Sequence, residues 1–209
     1  MIEYYNAIKG MTTLSPNNVM EIGSRDGHDA NALAKMFEVK DEDVFIIEPH
    51  PKSFKKIREI YGKYHIYEVA ISSETGVHSF TALEEDVGIS SLLDRNDGFY
   101  DNKRKNIIDV KTLTGRDFLN RDELKNKKID ICKIDVEGMT YDVLQSFDSE
   151  IERFNSFHIE TENYEVWKGQ KTSKEVFKFL YERGYVKIYE YKIGEVQLDT
   201  IWIKEGYIK

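Results

Sequence analysis

Cysteine and proline are scarce in this chain of 209 residues, which contains one cysteine and three prolines. A lone cysteine, Cys132, excludes an internal disulfide and a cluster of thiol metal ligands. Its place inside an apolar run favours a buried structural thiol over a nucleophile. Since the chain also lacks low-complexity tracts and internal repeats, nothing indicates a linker, and we expect a single domain over residues 1–209.

Long apolar runs and an excess of positive charge are also lacking. No stretch approaches the length of a membrane span, and residues 1–5 lack the basic start and apolar run of a signal peptide. The formal net charge is −8, and basic residues are mixed with acidic ones along the whole chain, which disfavours a phosphate-binding face. We therefore expect a cytoplasmic protein that binds neither a membrane nor nucleic acid.

Short apolar runs alternate with segments of helical spacing along most of the chain. The predicted strands are residues 19–22, 44–47, 65–71, 129–134, 157–159, 185–191 and 200–203, and the predicted helices are 30–37, 52–61, 141–147 and 173–183. This alternation indicates an α/β fold with a largely parallel sheet covered by helices on both faces. The last two strands share a short loop around Gly194, so they must be antiparallel.

Residues 76–116 interrupt the alternation. They contain two strand-like pieces, 78–83 and 107–113, around a polar stretch. A long insertion in a compact domain is often a binding loop or lid, although a surface excursion has the same sequence pattern. We predict an insertion at about 76–116, and leave open whether it is a binding loop or lid, or a surface excursion.

A glycine-rich turn follows the first predicted strand and contains Glu21, Gly23, Ser24 and Gly27. Glycines at a strand-to-helix turn let the backbone approach a ligand. The spacing is wider than the GxGxxG of dinucleotide sites, and a carboxylate precedes the first glycine. That carboxylate suits a ligand with an ammonium group, such as the methionine part of S-adenosylmethionine.

Glu48 closes the second predicted strand, 21 residues beyond Gly27. Nucleoside-binding sheets place an acidic residue about 20 residues beyond the glycines, where it accepts hydrogen bonds from the ribose hydroxyls. Glu48 is therefore a candidate ribose ligand, with an ordinary solvated strand end as the alternative.

Further acidic residues follow the fourth and fifth predicted strands. Asp135 and Glu137 could face a ligand beyond the strand ends, but Glu137 could instead cap the next helix. His158 and Glu160 alternate onto one face of the neighbouring strand. We predict Asp135 as the central catalytic carboxylate, with His158 and Glu160 as base or as further ligands of Mg²⁺ or Mn²⁺ if a metal is used.

These segments together resemble the FkbM family of S-adenosylmethionine-dependent methyltransferases. The residues that carry the resemblance are 21–29, 47–51, 69–72 and 133–138, with Ser90, Ser91, Leu92 and residues 110–113 between them. The resemblance implies a class I (Rossmann-like) methyltransferase sheet of seven strands in the order 3-2-1-4-5-7-6. It also implies O-methylation, commonly of a sugar, a glycan or a small natural product.

The same resemblance assigns cofactor contacts. Glu21, Gly23, Ser24 and Gly27 would surround the methionine part and Glu48 would hold the ribose. Pro49, Ala70 and Ile71 would lie near the adenine, and Asp135 would also border the cofactor. The sequence departs from the family at Glu21, where Asp is frequent, and at Ser24-Arg25-Asp26, so the roles of Arg25 and Asp26 stay open.

Two other functions share these features. A nicotinamide-dependent oxidoreductase would use the same sheet and Glu48, but the missing GxGxxG argues against it. A non-catalytic nucleoside-binding module would keep the glycines and carboxylates without turnover. Trp167, after the fifth predicted strand, could stack on a sugar ring or pack against the next helix.

Overall fold

The structure is a computed structural model that describes residues 2–83, 87–96 and 105–209. The helices in this part of the chain are α1 (Ile2–Met11), α2 (His28–Phe37), α3 (Pro51–Tyr61), α4 (Gly115–Leu119), α5 (Thr140–Ser146) and α6 (Ser173–Tyr181). The strands are β1 (Val19–Ile22), β2 (Val44–Ile47), β3 (His65–Tyr67), β4 (Ala70–Ile71), β5 (Gly76–Leu83), β6 (Lys105–Leu113), β7 (Ile131–Ile134), β8 (Ser156–Glu162), β9 (Tyr185–Ile193) and β10 (Gln197–Lys204).

Seven strands form one sheet in the order β3-β2-β1-β7-β8-β10-β9. Counted within this sheet alone, the order is 3-2-1-4-5-7-6, as the resemblance implied. The first five strands in this order are parallel, and β10 runs antiparallel to both β8 and β9. The predicted α/β fold with a terminal antiparallel hairpin is confirmed.

The central strands β1, β2 and β7 are buried along their whole length because helices cover both faces of the sheet. One face packs against α4, α5 and α6, with Phe157 and Trp202 among its buried side chains. The opposite face packs against α1, α2 and α3, with Tyr5 among them. Cys132 is fully buried in the first of these layers, and burial raises the pKa of its thiol, in agreement with a structural cysteine.

The predicted strand 65–71 is in fact two strands. β3 pairs with β2 in the large sheet, whereas β4 pairs with β6 in a second sheet of order β4-β6-β5. The apolar run masks this division because both pieces are partly or fully buried, in different sheets. β5 and β6 correspond to the two strand-like pieces expected inside the insertion.

The insertion therefore has regular structure, except that residues 84–86 and 97–104 lie outside the described part of the chain. Its role as a lid and the single-domain boundary at 1–209 stay predictions. No helix among the described residues combines the length and apolarity needed to span a bilayer.

Candidate active site

The turn after β1 brings three strand ends into close contact. Gly23 has a φ of +79°, and a Cβ at this position would lie 1.9 Å from the backbone oxygen of Asp135. The Gly23 amide donates to the Ile47 oxygen at 2.9 Å, and the Asp135 amide donates to the Ile22 oxygen at 2.9 Å. Only glycine fits here, because a side chain would push β7 away from β1.

Glu48 extends from the end of β2 into this junction and is 5% exposed. One carboxylate oxygen accepts a hydrogen bond from the Arg25 amide at 2.8 Å, and the other accepts from the His50 amide at 2.6 Å. Burial raises the pKa of Glu48 to about 7, although these two hydrogen bonds oppose the rise. The carboxylate is thus fixed in direction, and each oxygen keeps a further lone pair for a ligand hydroxyl.

A cavity of about 270 Å³ opens beyond the ends of β1, β2, β7 and β8. Of the predicted cofactor-binding residues, six line it: Gly23, Glu48, Pro49, Ala70, Ile71 and Asp135. The cavity lies where ligands bind in open parallel sheets, at the carboxyl ends of the strands.

The other three predicted cofactor-binding residues do not line this cavity. Glu21 is 1% exposed, and its carboxylate accepts a hydrogen bond from the Ala30 amide at 2.8 Å. The Ser24 hydroxyl accepts from the Gly27 amide at 2.9 Å. These side-chain contacts shape the turn and the start of α2 from below, and ligand contacts by Glu21, Ser24 and Gly27 stay predictions.

Three carboxyl groups that line the cavity lie close together. One oxygen from each of Asp135, Glu137 and Glu160 lies within 4.8 Å of the other two. Burial, and then the charges of Asp135 and Glu137, raise the pKa of Glu160 to about 10. Glu137 faces the cavity with a φ of 46°, and α5 is capped at Met139. Glu137 was expected either to face a ligand or to cap the next helix. The structure favours the first role, because the side chain lines the cavity and does not cap α5.

His158 does not join these carboxylates, contrary to the predicted set of Asp135, His158 and Glu160. Its Nδ1 lies 3.4 Å from the Tyr5 hydroxyl, and its Nε2 lies 3.4 Å from an Asp199 carboxylate oxygen. The imidazole is 4% exposed and lies one step further from the strand end than Glu160. Alternation predicted the shared face correctly, but α1 and β10 enclose the imidazole. The carboxylates that do meet are those of Asp135, Glu137 and Glu160. They form an all-oxygen set of the ligand type that Mg²⁺ or Mn²⁺ would take if a metal is used.

Lys133 lies beneath the carboxylates and was given no role from sequence. Its ammonium binds the carboxylates of Asp29 and, at 3.0 Å, Asp135. Burial would lower the pKa of Lys133, but the charges of Asp135, Glu21 and Asp29 outweigh it and hold the pKa well above its usual value. A lysine inside an otherwise apolar strand was the available signal, because a buried charge needs partners.

The insertion borders the same cavity from above. Its lining residues are Phe80, Gly88, Ile89, Ser90, Ser91 and Leu92. The Ser91 hydroxyl donates to the Glu137 backbone oxygen at 2.7 Å. A Cβ on Gly88 would lie 2.9 Å from an Arg25 guanidinium nitrogen. The insertion thus packs against both the glycine turn and the carboxylate cluster.

Trp167 is 1% exposed and packs closely on Gly138, where a Cβ would lie 2.5 Å from the indole ring. The Arg95 guanidinium lies 5.2 Å from the ring centroid. Of the two roles left open for Trp167, packing is therefore the one that the structure shows, and Gly138 and Arg95 are among its neighbours.

The sheet order, the glycine junction and the cavity at the strand ends define the fold of the class I S-adenosylmethionine-dependent methyltransferases. The chain belongs to the FkbM methyltransferase family, because the model for the methyltransferase FkbM domain matches residues 21–187. No curated protein matches the sequence.

Solved structures support the same fold. The methyltransferase FkbM from Methylobacillus flagellatus KT aligns with a TM-score of 0.55 and 11% identity over 89% of this chain. The present chain spans only 44% of that protein. The ribosomal protein L11 methylase from Lactobacillus delbrueckii subsp. bulgaricus aligns with a TM-score of 0.50 and 12% identity, over 96% of this chain and 76% of the other. At these identities the similarity shows the fold alone.

Proposed function

We propose that this protein transfers a methyl group from S-adenosylmethionine to a hydroxyl oxygen, on a sugar, a glycan or a small natural product. The observation that carries the proposal is the junction of Gly23 with Asp135. Because Gly23 has no side chain, a stretch of bare backbone lies between the fixed carboxylate of Glu48 and the acidic cluster of Asp135, Glu137 and Glu160. A nucleoside with a charged amino-acid tail matches that sequence of groups.

The residues present fit such a cofactor. Glu48 would accept the ribose hydroxyls, and Pro49, Ala70 and Ile71 supply an apolar wall for the adenine. The positive charges of the methionine part would lie against a cavity lined by four carboxyl groups and, among the described residues, one basic side chain, Arg25. When bound, S-adenosylmethionine supplies a methyl group on a sulfonium leaving group.

The protein's own task at the acceptor is to orient a hydroxyl and accept its proton. We assign proton acceptance to Asp135, which lines the cavity and is held in place by Lys133. Glu160 keeps its own proton at neutral pH because its pKa is raised to about 10, so its role is to donate a hydrogen bond. The insertion would exclude water as a lid, and the cytoplasm is the proposed compartment.

Calorimetry with S-adenosylhomocysteine and with NADH tests the cofactor assignment. We expect heat with S-adenosylhomocysteine and none with NADH; the reverse result would support the oxidoreductase alternative and overturn the proposal.

Transfer of labelled methyl groups to a panel of hydroxylated acceptors then separates an enzyme from a binding module. Product analysis should find the label in an ether, and label on nitrogen or carbon would refute O-methylation. Repeating turnover after EDTA treatment tests the metal separately.

A further inference from the structure

The terminal hairpin carries a row of side chains that leads out of the cavity. In the sheet, Glu160 of β8 lies opposite Asp199 of β10, and Asp199 lies opposite Tyr191 of β9. Directly paired residues of antiparallel strands project to the same face. The row therefore runs from Glu160, which lines the cavity, to Tyr191, which is 53% exposed on the edge strand.

A second row lies beside the first, nearer the end of β8. Glu162 pairs with Gln197, and Gln197 pairs with Ile193. Gln197 lines the cavity and Ile193 is 41% exposed. Both rows thus combine a polar group at the cavity with an exposed apolar side chain at the outer edge.

A third row of paired residues marks the limit of the accessible surface, because it is covered by other side chains. His158 pairs with Ile201, which pairs with Tyr189, and this part of the face is covered by the layer that contains Tyr5 and Ile8 of α1. The accessible surface therefore consists of the first row together with Gln197 and Ile193 of the second, because Glu162 is buried and accepts a hydrogen bond from Gln170. It is about 10 Å wide from Glu160 to Tyr191, because neighbouring strands lie about 5 Å apart. That width accommodates one sugar-sized ring.

We propose that this surface, formed by Glu160, Asp199, Tyr191, Gln197 and Ile193, is the acceptor subsite and takes a polyhydroxylated ring that carries no negative charge. The inference rests on the proposed function and specifies where and what the acceptor is. Tyr191 supplies an aromatic face for the ring, while Asp199 and Gln197 accept hydrogen bonds from its hydroxyls. The acidic groups that line the cavity repel a carboxylate or phosphate on the acceptor.

Asp199 connects this subsite to the buried part of the protein. Its carboxylate side chain is 17% exposed and lies 3.4 Å from His158 Nε2. The imidazole therefore fixes the direction of Asp199, as Tyr5 fixes that of the imidazole. His158 therefore has a positioning role towards the acceptor. This role explains why a polar residue, His158, occupies a buried position on β8.

Saturation-transfer NMR on protein saturated with S-adenosylhomocysteine tests the subsite. The probes are the methyl glycosides of glucose, galactose, mannose and fucose, each compared with its uronic acid where one exists. We expect the wild type to bind at least one neutral glycoside, and the matching uronate to bind about tenfold more weakly, with a smaller difference in high salt. Absence of glycoside binding, or preference for the uronate, would overturn the proposal.

Variants locate the binding. Tyr191→Ala should weaken the glycoside about tenfold, whereas Tyr191→Phe should bind as the wild type does. Tyr181→Ala is the matched control, since Tyr181 is 54% exposed but packs on Trp202. Unchanged binding in Tyr191→Ala would refute the subsite. Calorimetry with S-adenosylhomocysteine on the same samples separates this failure from failure of the proposed function, because cofactor binding should be equal in all four proteins.

Discussion

A Cβ on Gly23 would lie 1.9 Å from the backbone oxygen of Asp135, so the neighbouring strands β1 and β7 meet at their ends without a side chain between them. This contact links the turn that would hold the cofactor to the residue assigned to proton acceptance. Disturbing one of these functions should therefore disturb the other, and the following predictions separate them.

Gly23→Ala should abolish measurable binding of S-adenosylhomocysteine, because the methyl group collides with the β7 backbone and the φ of +79° is strained for alanine. Gly169→Ala is the matched control, since Gly169 has a φ of +81° but nothing within 4 Å of its Cβ position. Calorimetry measures both variants. Wild-type affinity in Gly23→Ala would contradict the close junction.

Glu48→Gln should weaken S-adenosylhomocysteine binding about 10- to 100-fold, the range expected when a charged hydrogen-bond acceptor is lost. The substitution preserves size, and its effect should be absent from Glu59→Gln, an exposed position on α3. Calorimetry at pH 8 or so, about one unit above the pKa of about 7, keeps most of Glu48 ionised. An affinity equal to wild type would remove Glu48 from the ribose site.

Asp135→Asn and His158→Ala should have different effects. We expect Asp135→Asn to lower turnover about 100- to 10,000-fold, the contribution of a general base. His158→Ala should lower the free energy of unfolding by about 1–3 kcal/mol, because buried polar groups that contact the imidazole are left without that partner. Turnover at saturating acceptor should stay within about tenfold of the wild type. Urea unfolding and single-turnover methyl transfer measure the two effects. Equal loss of turnover in both variants would restore His158 to the catalytic set.

Lys133→Met should destabilise the protein by about 3–5 kcal/mol, because it leaves the carboxylates of Asp29 and Asp135 without their buried counter-charge. Lys178→Met, at an exposed pair with Glu182, should cost less than about 1 kcal/mol. Urea unfolding at neutral pH compares them. A similar small cost for both would show that Lys133 is not the centre of a buried charge network.

Glu160 predicts a pH dependence of stability. Its pKa is raised by burial and by the neighbouring carboxylates from the ordinary 4.5 to about 10, so the folded state holds a proton that the unfolded chain releases. The stability that this gives is fully present below pH 4.5 or so and is lost as the pH rises towards about 10.

Glu160→Gln should therefore flatten the fall of the thermal midpoint between about pH 6 and about pH 9. Glu205→Gln, at an exposed position near the C-terminus, should keep the wild-type slope. A slope that is unchanged in Glu160→Gln would show that Glu160 does not carry this proton.

Much of the fold followed from local pattern. The apolar runs at 19–22 and 44–47 predicted β1 and β2 without change, and the helical spacing at 173–183 predicted all of α6, which ends two residues earlier. Local pattern failed where a strand changes sheets, as at 65–71, because burial looks alike in either sheet. It also missed α1, whose residues cover the sheet face that bears His158.

The sequence by itself determined the class of fold, the glycine turn and the carboxylates at the strand ends, because periodicity and strand-end position are local properties of the chain. The tertiary structure alone decided which carboxylates meet. It joined Glu137 to Asp135 and Glu160, enclosed His158 between Tyr5 and Asp199, and placed Lys133 under the cluster. These contacts depend on strand register and on helices far away in sequence, and spacing along the chain carries no information about either.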